Sequence, residues 1–165
     1  MIDMQAVAHH LGHDLFTVRG DSLIVLDDGA SGAIPSPEEI AAARAALDAG
    51  LLPTYAAKKR WDVETGGITV SGATVDTSRE SQAMITGAHS FALANPAAVI
   101  SYKSASGFVT LDAAAMVAVA TAVGQHVQAC FAREAEVVAA VAAETVTSRA
   151  AIDAAFADVA APWAP

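Results

Sequence analysis

Three histidines crowd the amino-terminal segment, His9, His10 and His13, with Asp14 beside them. On a helix His9 and His13 would share a face one turn apart, where two imidazoles can take a divalent metal. A tight site needs a third and a fourth ligand, and only Asp14 is near. A solvated polar face is therefore expected, with no metal or other cofactor. Cys130 is the single cysteine, which excludes an internal disulfide and any multi-cysteine metal site. It falls in an apolar helical stripe and reads as a small core residue rather than a nucleophile. His89 and His126 lie alone in separate predicted helices. No serine carries the glycine-flanked elbow of a hydrolase, and Gly66 and Gly67 lack the lysine and hydroxyl residue that complete a phosphate loop. Arg19, Gly20 and Asp21 match the integrin tripeptide in letters, but glycine with aspartate is also what a tight hairpin requires. Asp27, Asp28 and Gly29 start like a calcium loop and lack its later ligands, including the closing glutamate. With no catalytic constellation, a non-enzymatic protein is expected.

The elements around these residues can be read from caps and periodicity. LFTVRGDSLIVL, from Leu15 to Leu26, predicts a hairpin, and the polar stretch from Asp27 to Pro35 predicts a linker. Ser36, Pro37 and Glu39 form a complete helix start, with a helix to Leu47 and stop signals at Gly50 and Pro53. A second helical stretch is expected from Thr54 to about Val63. ITVSGATVD, 68–76, reads as another hairpin. Thr77 and Glu80 have capping-box spacing ahead of a helix from Arg79 to Ala94. The runs 99–103 and 107–111 read as a further strand pair. Asp112 then opens a helix from Ala113 to about Ala143, and Ser148 starts a short amphipathic one carrying Ile152, Phe156 and Val159. The expected fold is α+β, a mainly helical body with a long C-terminal helix and small β-hairpins. Its expected domains are a hairpin module with linker, 1–35, and a helical domain, 36–165.

The composition supports helix. Of 165 residues 41 are alanine, the best helix former, while aromatic residues make up only 5%. Nine basic against eighteen acidic side chains give a net charge of −9. Such a chain cannot generate the counterion-release affinity that nucleic acid requires. No run of eighteen consecutive apolar residues appears and the amino terminus lacks a signal-peptide pattern, so a soluble chain without membrane insertion is expected.

In the long helix, positions 116, 120, 123, 127, 130, 134, 137 and 141 alternate spacings of four and three, an apolar stripe interrupted only by Glu134. The stripe suits either of two roles. It can be the spine of one chain's fold, or a seam between copies lined by Val123, Val127, Cys130 and Val137. Trp61 and Trp163 are the large aromatic anchors available for contacts with a neighbour.

The blocks RWDVETGGITVSGATVDTSRESQAMITGA and YKSASGFVTLDAAAMVAVATAVGQHVQACFAREAEV, with the proline of ALANP between them, resemble a family of short bacteriophage and prophage proteins classified only as a domain of unknown function. The resemblance rests on Trp61, Thr65–Gly67, Ser78–Gln82, Lys103, Gly107–Asp112 and His126–Phe131. The first 50 residues fall outside it. Such proteins are usually encoded among tail and tail-fibre genes. The resemblance therefore implies a virion tail component near the baseplate or fibre attachment, assembled in the bacterial host cytoplasm with other tail proteins as partners. The runner-up is a fibre-assembly chaperone that is not retained in the virion. Because tail fibres are commonly threefold, a homo-oligomer is expected, with three as the copy number. The family supplies no catalytic residues.

Overall fold

The capping box at Ser36 forms as its spacing predicts. In the computed structural model the Ser36 amide donates to Glu39 Oε2 at 2.7 Å and the Glu39 amide donates back to Ser36 Oγ at 3.2 Å. The bonds it accepts from the Ser36 amide and hydroxyl hold the Glu39 carboxyl below its ordinary range. The structure describes residues 3–12, 16–19, 22–25, 31–104 and 107–159. His13, Asp14, Gly20, Asp21, Asp27, Asp28, Gly29 and Trp163 lie outside them. The chain is mainly helical with small antiparallel sheets, as expected, and it forms two compact units, residues 1–52 and 53–165.

The first unit opens with α1 (Met4–Leu11), capped by the Asp3 carboxylate on the Ala6 amide and closed by Gly12 at φ +76°. This helix was not legible in the histidine-rich sequence. Strands β1 (Phe16–Arg19) and β2 (Ser22–Val25) form the predicted hairpin, with Arg19 opposite Ser22. A third strand, β3 (Ser31–Ala33), pairs with β2 where only linker was expected. Ser-Gly-Ala has no strand propensity of its own, so pairing with β2 specifies it. Val7 and Phe16 make the small core, with Leu11, Ile34 and Ile40 against it.

Helix α2 (Pro37–Glu64) corrects the expectation of two helices. Pro53 removes one helical N–H bond and crowds the carbonyl four residues back, a disadvantage of about 3 kcal/mol in a helix interior. Alanine, leucine and lysine dominate the helix on either side, and it carries through. The division between the two units falls within it, after Leu52, rather than in the Asp27–Pro35 stretch.

The second unit holds the larger core. Strands β4 (Ile68–Val70) and β5 (Ala73–Val75) turn through Ser71 at φ +50° and Gly72 at φ +81°, the paired positive angles of a type I′ hairpin. Helix α3 (Arg79–Ala94) is capped by Ser78, not Thr77; its Oγ accepts from the Ser81 amide at 3.3 Å. Strands β6 (Val99–Ser104) and β7 (Gly107–Asp112) follow, and Asp112 caps α4 (Ala113–Ala142) as expected. Met116, Ala122 and Val123 of α4 pack with Ile85 of α3, Val70 and Val75 of β4–β5, and Ile100 of β6. By length and mean hydropathy of 1.3, α4 also passes as a membrane span. Here one face is packed in the body while the other shows Gln125, Gln128 and Glu136.

Ser148 caps α5 (Arg149–Ala155), and Ile152 and Phe156 are fully buried. Asp153 accepts from Tyr55 Oη at 3.1 Å and pairs with Lys59 at 2.9 Å, while Asp158 takes a bidentate bond from Arg133. Lys59 and Arg133 respectively hold Asp153 and Asp158 below the ordinary aspartate range. Because the folded values are depressed, this stabilisation is present above the unfolded value near pH 4 and is lost as pH falls through the folded ones. Acidification below about pH 4 should therefore release α5 before the body unfolds. Amide hydrogen exchange across α5 and α4 checks this, and simultaneous loss of protection in both would contradict it.

Candidate functional site

Glu64, at the last turn of α2, is a carboxylate with no solvent exposure. Arg60, one turn earlier, donates to it, as does Arg79 from the first turn of α3 at 2.9 Å. Gln82 Nε2 donates to the same carboxylate at 3.2 Å and to the Thr77 carbonyl at 2.8 Å. Thr77 is buried because its hydroxyl joins this cluster: Oγ1 donates to the Glu64 carbonyl at 2.6 Å and accepts from the Gly67 amide at 2.9 Å. Arg60 also reaches across to Glu134 of α4 at 2.8 Å. Two guanidiniums thus face two carboxylates, and among the described residues no buried side-chain nitrogen or oxygen is left without a partner. This accounts for Glu134, the charged residue in the otherwise apolar stripe. It also explains why blocks far apart in the sequence, 65–67 and 78–82, belong together. Glu64 itself escaped sequence reading because it sits in what looks like a turn. The available signal was the Arg60/Glu64 spacing of four combined with a charge in the stripe.

The network reaches the surface as a stack. The Arg60 guanidinium lies 4.6 Å from the Phe131 ring centroid and 5.8 Å from that of Trp61, whose ring also has Arg79 at 5.0 Å. Trp61 and Phe131 remain 44% and 42% exposed. Half-exposed tryptophan and phenylalanine stacked on a largely buried arginine have the composition of an interaction hot spot. Of the residues expected at an interface, Trp61 is therefore at the surface. Val123, Cys130 and Val137 are buried in the chain's own interior and Val127 is partly buried against its core. The side chains expected in a seam between copies are taken up within one chain: Val123 and Val127 pack in the core with α3 and the hairpins, and Cys130 lies beside His126 near Glu64.

Cys130 and His126 are one turn apart, Sγ to Nε2 at 3.8 Å, a pairing with the letters of a nucleophilic dyad. The His126 Nε2 is committed to the Val63 carbonyl at 3.1 Å. Burial pushes the Cys130 thiol up to about 11, so no thiolate forms near neutral pH. The pair holds α4 against the end of α2. His9 and His10 are exposed on α1, and among the described residues no three potential metal-ligating side chains gather.

Removing one partner of a buried ion cluster leaves the others uncompensated. Glu64→Gln is thus expected to destabilise the second unit by about 3–5 kcal/mol, whereas Glu134→Gln, at the more exposed edge, should cost less. Urea unfolding of both variants measures this, and a loss below about 1 kcal/mol for Glu64→Gln would show the cluster to be dispensable.

No curated protein and no solved structure matches the chain. One family does, over residues 38–161, reaching back through the first half of α2, which the sequence reading left outside its resemblance, and forward through α5. That span takes in the whole Glu64 cluster and most of the chain, and the protein belongs to the family described as a domain of unknown function, DUF4376.

Proposed function

We propose that the protein is a non-enzymatic structural component of a bacteriophage tail, sited at the baseplate or fibre attachment and bound to other tail proteins there. The observation that carries the reading is the surface. In addition to the half-exposed Trp61 and Phe131, Phe108 is 80% exposed, with Val99, Leu93 and Phe91 also largely in solvent. A chain that leaves large apolar side chains outside in several places is suited to being held between neighbours. The phage setting comes from the blocks at Trp61, Ser78–Gln82 and His126–Phe131, which resemble those of tail-region proteins. The committed His126 nitrogen and the protonated Cys130 favour a role without chemistry. Self-association into a trimer belongs to the same proposal and has to use a surface other than the buried α4 stripe. The competing reading is a fibre-assembly chaperone that leaves before the particle is complete.

Mass spectrometry of purified particles separates the two. Stoichiometric presence is expected, and absence from particles despite strong expression would replace the structural role with the chaperone. Within that experiment Trp61→Ala should lower incorporation several-fold while leaving thermal stability nearly unchanged, because the ring is half-exposed.

A further inference from the structure

A cleft of about 720 Å³ separates the β4–β5 hairpin from the β6–β7 hairpin, floored by Leu111, Ala115 and Val119. Successive residues of a strand point to opposite faces. A cleft touching Ala73, Thr74 and Val75 in turn therefore borders the edge of β5, and one touching Tyr102, Lys103 and Ser104 borders the edge of β6. From β7 it touches only Val109 and Leu111, alternate residues and hence a face.

The hairpin registers say which backbone groups those edges present. Val70 opposite Ala73 closes a two-residue turn, so it is a hydrogen-bonded pair, and the next pair, Thr69 with Thr74, is not. Thr74 therefore turns its N–H and C=O away from β4. By the same alternation, Ser104 opposite Gly107 makes Lys103 the residue whose backbone points away from β7. Thr74 also borders a second cleft beside Thr69, which is where a side chain on the Thr69 face belongs. What it offers the larger cleft is backbone. Both sheets are two-stranded among the described residues, so no strand covers either edge.

The rim of this cleft is charged. Asp76 and Glu80 line it, with Lys103 on the β6 side; among the described residues neither carboxylate has an ion-pair partner, although most carboxylates of the second unit do. The Asp76 carboxylate is fixed by the Ser78 amide and hydroxyl and by Ser81 Oγ, and these bonds hold it below the ordinary aspartate range.

We propose that the cleft takes an extended segment of another protein as an added strand, paired with the free edges of β5 at Thr74 and β6 at Lys103, with aliphatic side chains on the apolar floor and a basic side chain against Asp76 and Glu80. Such a strand joins the two hairpins into one sheet, and its backbone bonds supply affinity while the floor and rim supply selectivity. The proposal goes beyond the virion assignment and stands without it.

The probe is a capped octapeptide of alternating valine and lysine, titrated into the whole protein and followed by calorimetry and residue-resolved amide exchange. Binding is expected to slow exchange at the Thr74 and Lys103 amides, and an analogue N-methylated at alternate amides should not bind. Glu80→Gln, an exposed change in the first turn of α3, should weaken the peptide about threefold, the scale of one exposed ion pair. No binding at millimolar peptide overturns the proposal, as does binding with protection elsewhere. Protection of Thr74 and Lys103 in the free protein that falls on dilution would show a second copy in the cleft and equally overturn it.

Discussion

A carboxylate fully removed from water has to be met by positive charge, and in this protein that requirement at Glu64 dictates which elements meet. The end of α2 brings Arg60, the start of α3 brings Arg79 and Gln82, and α4 brings Glu134 to balance the second guanidinium. The β4–β5 hairpin lies between α2 and α3 in sequence, so its position follows once those two helix ends are joined. Thr77 and Gly67 close the loop on either side of it. Apolar packing supplies most of the stabilisation, but it is tolerant of register. The ion cluster is not, since a displaced helix end would strand a charge.

What could be read in the sequence was local. Ser36, Asp112 and Ser148 cap helices where the spacing of polar and apolar residues predicts, because a cap depends on amides two or three positions away. Ser71 and Gly72 likewise declare their turn. The failures share a cause in distance. Thr77 has the spacing of a cap but spends its hydroxyl on Glu64 and Gly67, leaving Ser78 to start α3. Pro53 looks like a stop because its neighbours' helix propensity has to be weighed against it. Ser31 to Ala33 becomes a strand only by pairing with β2. Glu64 reads as part of a turn until Arg79, fifteen residues on, is placed against it.

The same distinction governs the site. Trp61 was legible as an interface anchor from its size, whereas the arginines stacked on it come from α2 and α3 together. The heptad stripe of α4 was legible as a stripe but not as facing inward, because periodicity specifies a face without specifying what covers it. In this chain α3 and the hairpins cover its first half, and Arg60 from the end of α2 meets it at Glu134.

The lone thiol has a use that none of this requires. Cys130 is wholly enclosed, beside His126 and within the field of Glu64. A maleimide or iodoacetamide in the surrounding solution meets sulfur only in molecules whose central cluster has come apart. With one thiol in the chain there is a single maleimide signal and no ambiguity of assignment. Labelling kinetics in undenatured solution thus count the openings of this cluster, and their dependence on reagent concentration separates how often it opens from how long it stays open. The protein carries its own clock for the one event on which its architecture turns.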